Sequence, residues 1–330
     1  GDTHIVAFYD NGVTAVPVML AQPGGPRPIK VRDHANRIDD FVAAKLSKLG
    51  LEPSSSCTDG EFLRRASIDI TGSLPTPEEI ESFLASSSAD KRLLKIDELL
   101  GRPGYAAWWT NKLCDFTGCN PTARTEVREV GQALAVQWYQ WIHRRVVENR
   151  PYDQLVEGIV LSVGREPGQT SADYSEEMSS YVRRNSPGDF SRRATMPHYW
   201  TRNSVKEPKQ KALSFAHSFL GVQLQCAECH KHPFDRWTQH DFAEFTGFFE
   251  GVGSRGGRVG FPQFAAARAG EVIRWPYLVA RNGETRELQL LGSGKVRIEA
   301  GADPRRPIMK WMRDPRNPWF GRAFVNRVWA

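Results

Sequence analysis

The sequence predicts a mainly α protein with an appended β region, and three patterns carry that expectation. Apolar stripes at helical spacing, opened by capping signals and closed by glycine or proline, recur between residues 34 and 165. A β texture with an Asn282-Gly283 turn occupies residues 251–300. Between them Cys226-Ala227-Glu228-Cys229-His230 sits deep inside a helical framework. With 40% hydrophobic residues and ten Trp, the 330-residue chain can bury a sizeable core, and it carries no long low-complexity tract.

The chain opens on a β signal. Residues 5–9 and 13–20 flank Asn11-Gly12, a dipeptide suited to a tight hairpin turn. Pro23-Gly24-Gly25-Pro26-Arg27-Pro28 then reads as a linker, so residues 1–28 are expected to be the β remnant of a preceding sandwich domain plus linker. A helical domain is expected over 29–165. Ile38, Phe41, Val42, Leu46 and Leu49 lie on one stripe that Gly50 closes. Thr58-x-x-Glu61 is a capping box, and Thr76-Pro77-Glu78-Glu79 adds proline at the first helical position. Leu93, Leu94, Ile96, Leu99 and Leu100 give another apolar face, stopped by Gly101 and Pro103. Further helices are expected over 105–116, over 127–147, and from the Asp153 cap to 160. Core packing is the leading reading of Trp108, Trp109, Trp138 and Trp141, because indole rings bury readily, and a haem-facing role for one Trp is the alternative.

The next segment, 166–300, is expected to carry the CxxCH motif with a β extension. Residues 165–195 read as loop, being rich in Gly, Ser, Pro and charge, and they lead into Thr195-Met196-Pro197-His198-Tyr199. A helix-patterned run from Pro208 to Gly221 precedes the motif. Thr238-x-x-Asp241 caps a short helix bearing Phe242, Phe245, Phe248 and Phe249. Strands are expected at 272–275, 277–279, 288–291 and 295–298. Residues 301–330 return to helix and are expected to begin a following domain.

Two thiols three positions apart, with a histidine directly behind the second, are what covalent attachment of haem c requires. Cys226 and Cys229 would add across the two vinyl groups of one porphyrin edge, and His230 would turn under the ring to ligate iron. Other chemistry uses the same residues. A zinc site would need His232 and His240 to complete it. A thioredoxin-like CxxC normally follows a strand, whereas this one follows a helical run. A disulfide closed across two residues would be strained. A zinc- or disulfide-stabilised binding module with no redox role therefore stands as the alternative. Two residues after His230, His232 begins on the proximal side, where a backbone group, a propionate or Asp235 is its expected partner. The distal ligand must come from another segment. Met196 ranks first, His198 second and an open iron third, while His217 reads as a satisfied core histidine and Met309 and Met312 as core packing. Of the remaining cysteines, Cys114 and Cys119 either close a small disulfide loop or stay as thiols at a helix end.

The net charge of +6 comes from 44 basic and 38 acidic residues that are interspersed, which argues against a nucleic-acid or membrane-surface role. No apolar run reaches the roughly 18 residues that a bilayer span requires. Haem c implies an extracytoplasmic site and a redox partner protein.

Phe62-Leu63-Arg64-Arg65-Ala66, Asp69-Ile70-Thr71-Gly72-Ser73-Leu74-Pro75-Thr76 and Ile96-Asp97-Glu98-Leu99-Leu100 together resemble a planctomycete cytochrome c-like domain of unknown function, the second of its named types. So does the run from Phe219 through Cys226, Cys229 and His230 to Asp235, with Trp237-Thr238 and Phe248-Phe249. Asn317-Pro318-Trp319-Phe320 and Val325-Asn326-Arg327-Val328-Trp329 resemble the start of the planctomycete domain that commonly follows it. The resemblance implies a large, envelope-exposed, multidomain haem protein with bacterial Ig-like modules upstream. It carries over only Cys226, Cys229 and His230 as cofactor residues, and the place of CxxCH deep inside a large helical framework points to a large helical haem c domain rather than a compact class I cytochrome c. It assigns no reaction.

Overall fold

The computed structural model describes residues 1–9, 12–28, 36–120, 127–232 and 236–329. β1 (Asp2–Tyr9) and β2 (Gly12–Met19) form the expected antiparallel hairpin, with Asp2 opposite Met19 and Tyr9 opposite Gly12. The Asn11 half of its turn lies outside the described residues. Ile5, Val16 and Met19 are exposed on this hairpin, and none of its described side chains enters the core. Its following strap runs along the end of α1 (Arg37–Leu49), where Gln22 N donates to Leu49 O at 2.8 Å and Arg27 N to Ser47 O at 3.1 Å. The expected α1 stripe is mostly exposed, since only Leu49 of the helix is buried.

Capping chemistry sets the next boundaries. α2 (Asp59–Thr71) starts at the Thr58–Glu61 box and ends on left-handed Gly72, and α3 (Pro77–Ala85) starts at the Thr76–Glu79 box. α4 (Lys91–Leu100) is clamped to α2 by Asp59, which pairs with both Lys91 and Arg92 at 2.7 Å. α5 (Pro103–Thr117) packs against α2 and against α6 (Arg128–Val147), and α7 (Tyr152–Val160) follows. Leu113, Trp138, Trp141, Ile142, Val156 and Ile159 from these helices enter one apolar core.

Three expectations need correction. Residues 165–195 are not all loop, because α8 (Ser171–Ser180) forms there from a Thr170–Asp173 capping box. Aspartate at the third position gave that cap, and the polar helix it opens lacks an apolar stripe long enough to announce itself. After α9 (Pro208–Phe215), one wider turn over Ala216–Leu220 and the motif, α10 (Gln239–Gly247) starts at the expected Thr238–Asp241 box. The region beyond is only partly β. β3 (Val252–Arg255) is followed by α11 (Phe261–Ala269) and then by β4 (Tyr277–Ala280), with which it pairs antiparallel. Residues 272–275 are not a strand, and Asn282-Gly283 closes no hairpin, since β5 (Arg286–Gln289) pairs with β6 (Lys295–Ile298). Buried Asn282 instead donates its amide to Ile298 O at 3.1 Å and accepts from Arg286 Nε at 2.8 Å.

α12 (Arg305–Met312) and α13 (Phe320–Trp329) follow, and Ile308, Met309, Trp311, Met312 and Phe320 join the same core. The fold is mainly helical with small two-stranded sheets. At its centre Tyr199, Trp200, Phe215, Phe219, Phe245 and Phe249 pack with ring centroids 4.8–6.4 Å apart. All but the stacked Trp200–Phe215 pair are tilted or edge-on, arrangements that suit aromatic quadrupoles.

Candidate functional site

The motif hangs from this aromatic centre. Gly221 closes the Ala216–Leu220 turn in the left-handed conformation at φ 64°, and a Cβ there would meet Ala323 Cβ of α13 at 3.2 Å. Val222, Leu224 and Ala227 are buried and anchor the segment, so the residues between them face outward. Cys226 is half-buried, and Cys229 and His230 are exposed. A tight turn brings the three together: Cys226 O accepts from Cys229 N at 3.4 Å and from His230 N at 3.2 Å. Gly221→Ala is expected to cost about 1–2 kcal/mol, the penalty of a left-handed residue with a Cβ, and a denaturant titration measures it.

The imidazole of His230 is held by its neighbour. Nδ1 lies 2.7 Å from Lys231 O, and since a carbonyl only accepts, the proton sits on Nδ1 and the Nε2 lone pair remains as the basic face. Downstream, Gln239 Nε2 donates to Cys229 O at 2.6 Å, tying the start of α10 to the motif. His232 N donates to Trp237 O at 2.8 Å. Trp237 is buried against Trp319, with centroids 5.5 Å apart, and Arg236 lies over both rings. Asp235, one of the partners expected for half-buried His232, lies outside the described residues. Sequence reasoning missed Gln239 and Trp237, although the Thr238 cap beside them marked a helix start facing the motif.

The distal candidates are buried. Met196 has no exposed surface, and its amide donates to Gly158 O at 2.9 Å. His198 is 3% exposed, lies 2.9 Å through Nε2 from Gln137 Oε1, and stacks on Phe190 at 4.8 Å. The cavity that His198 lines is not lined by Cys226, Cys229 or His230. His217 is exposed rather than a core residue, while Met309 and Met312 are buried in the core. Met196→Leu, a volume-conserving change, is expected to cost less than about 1.5 kcal/mol and to leave the visible spectrum of haem-loaded protein unchanged. Loss of a red-end charge-transfer band in that variant would instead identify Met196 as a ligand.

Among the described residues, no group of three or more His, Cys, Asp or Glu side chains is placed to hold a metal ion. The zinc site that His232 and His240 would have completed is therefore not assembled among them. All five cysteines are thiols. The Cys114 thiol is pushed up by its hydrogen bond with Cys119 and by burial, while Cys119 Sγ lies 3.7 Å from Ala135 O. Haem-free protein is expected to alkylate fastest at exposed Cys229 and slowest at Cys114, because the thiolate is the nucleophile. Peptide mapping after timed iodoacetamide treatment measures the order.

A family model described as a protein of unknown function, PSCyt2 (DUF1549), matches residues 37–254. The chain belongs to this family. The PSCyt2 match runs from α1 into β3 and takes in Cys226, Cys229 and His230. No curated protein and no solved structure matches the chain. No helix among the described residues is long and apolar enough to cross a membrane.

Proposed function

We propose that this PSCyt2 domain is a c-type cytochrome-like unit of the cell envelope, holding one haem c on Cys226 and Cys229 with His230 as the proximal ligand, and exchanging electrons with a redox partner protein. The observation that carries the reading is the state of the motif. Both thiols stand free beside an imidazole whose Nδ1 proton is engaged by Lys231 O, which leaves Nε2 basic and oriented. The donor set fits the group: thioether-forming thiols at the required spacing and a tautomer suited to iron.

Bound haem supplies one-electron iron chemistry. The chain's own contribution is positional. Val222, Leu224 and Ala227 fix the segment from inside, and Gln239 and Trp237 fix it from the α10 side, so the motif's outward face keeps one geometry. Exposure of Cys229 and His230 favours a haem edge reachable by a partner protein, as electron transfer needs. A haem-dependent oxidoreductase is the reading for an open distal position, and rapid cyanide binding would select it. Expression with a c-type maturation system tests the proposal. Haem that stays with the polypeptide on a denaturing gel, with a sharp α-band on reduction, supports it. Haem-free protein from an otherwise competent system overturns it and returns the chain to a binding module.

A further inference from the structure

A second site lies away from the motif. A cavity of about 840 Å³ opens between α6, the 197–211 segment and the loop after β3. Its size falls within the roughly 300–1,000 Å³ of small-molecule sites. Trp200, Trp275, Met178, Val205 and Leu278 give it apolar walls, and all five are buried. Four cations line it as well: Arg202, Lys206, Lys211 and Arg258. No carboxylate is among the described lining residues, and none of the four forms an ion pair with a described acid.

The two buried cations differ. Arg202 is 6% exposed and spends its donors on Tyr199 O, Thr117 O, Gly118 O and Ser214 Oγ, so it contributes charge but few free N–H groups. Lys211 is 3% exposed, and its ammonium, with three protons to donate, bonds to Lys206 O. Burial lowers its pKa, and exposed Glu207 only partly opposes that. Lys206 and Arg258 are exposed at the mouth, and left-handed Gly256 and Gly257 set the turn that places Arg258 there. Burying positive charge without a carboxylate is costly unless an anion completes the site.

We propose that this cavity binds a small organic carboxylate with an apolar body, its carboxylate on Lys211 and its body against Trp200 and Trp275. The site makes no use of Cys226, Cys229 or His230, none of which lines it, although His198 does.

Calorimetric titration of the full chain with 2-naphthoate and with neutral 2-naphthamide, in haem-free and haem-loaded protein, tests the site. Naphthoate is expected to bind in both forms, about tenfold tighter than the amide, as a charge-assisted bond to buried ammonium implies. Lys211→Met should weaken naphthoate by about tenfold on the same ground. Arg258→Ala, an exposed change that leaves the core intact, should weaken it by about threefold, the scale of one solvent-exposed charge. Equal affinity for acid and amide, or naphthoate binding indifferent to Arg258→Ala, overturns the proposal. Naphthoate binding lost on haem loading also overturns it, and gives the four cations to the haem propionates.

Discussion

Replacing Cys226 and Cys229 together by alanine is expected to abolish covalent haem attachment while leaving the fold intact. Each thioether is a bond to one sulfur, so removing both removes every covalent link that the motif can make. The fold survives because neither thiol belongs to the core. Cys229 is exposed, Cys226 is half-buried, and the buried anchors of the segment are Val222, Leu224 and Ala227. The stability change is therefore expected to stay within about 0.5 kcal/mol, as for surface substitutions generally. His230→Ala separates attachment from ligation, since its thiols remain while the Nε2 lone pair is gone. That variant should keep covalent haem and change its visible spectrum, because the iron loses its proximal imidazole. Haem staining that persists in the double-cysteine variant would refute the attachment. A collapse of the fold in the same variant would mean that the thiols are structural.

What could be read in the sequence was local. Thr58, Thr76 and Thr238 announced three helix starts because a capping box lies within four residues of chain. The Cys226–His230 unit was legible for the same reason. Pairing between strands was not, because a four-residue strand carries too little pattern to choose its partner: 277–280 joined 252–255 across an intervening helix. Burial was not legible at Met196 and His198. Both carry ligand chemistry and precede the helix leading to the motif, and nothing in Met196-Pro197-His198 signals that the Met and His side chains are buried. The cationic cavity was invisible for a topological reason. Arg202 and Lys211 are separated from Arg258 by the motif and α10, and only the folded chain sets them around one space. Likewise, the tautomer of His230 depends on a turn that directs Lys231 O back to the ring.

Asp303→Ala is expected to destabilise the protein by about 3 kcal/mol, the lower part of the range for breaking a buried ion pair. Arg305 has no exposed side-chain surface, and Asp303 meets it in a fork, with Nε to Oδ1 at 2.9 Å and Nη2 to Oδ2 at 2.7 Å. Without the carboxylate the guanidinium keeps Ser162 O at 2.9 Å and the face of Trp200 at 5.9 Å, and Nη1 has no partner among the described residues. The side chain of Asp303 is 16% exposed, so water can enter its place, which sets the lower figure. Asp303 Oδ1 also accepts from Arg305 N at 2.9 Å just before α12, a bond whose loss costs about 1 kcal/mol. Arg305→Met in the Asp303→Ala background should therefore recover most of the loss and leave mainly that of the backbone hydrogen bond, because an apolar side chain in that pocket strands no charge. Urea denaturation of the two single variants and the double variant measures the cycle. A double variant no more stable than Asp303→Ala would show that Arg305 holds α12 through packing, and that the stranded charge is not what the single variant loses.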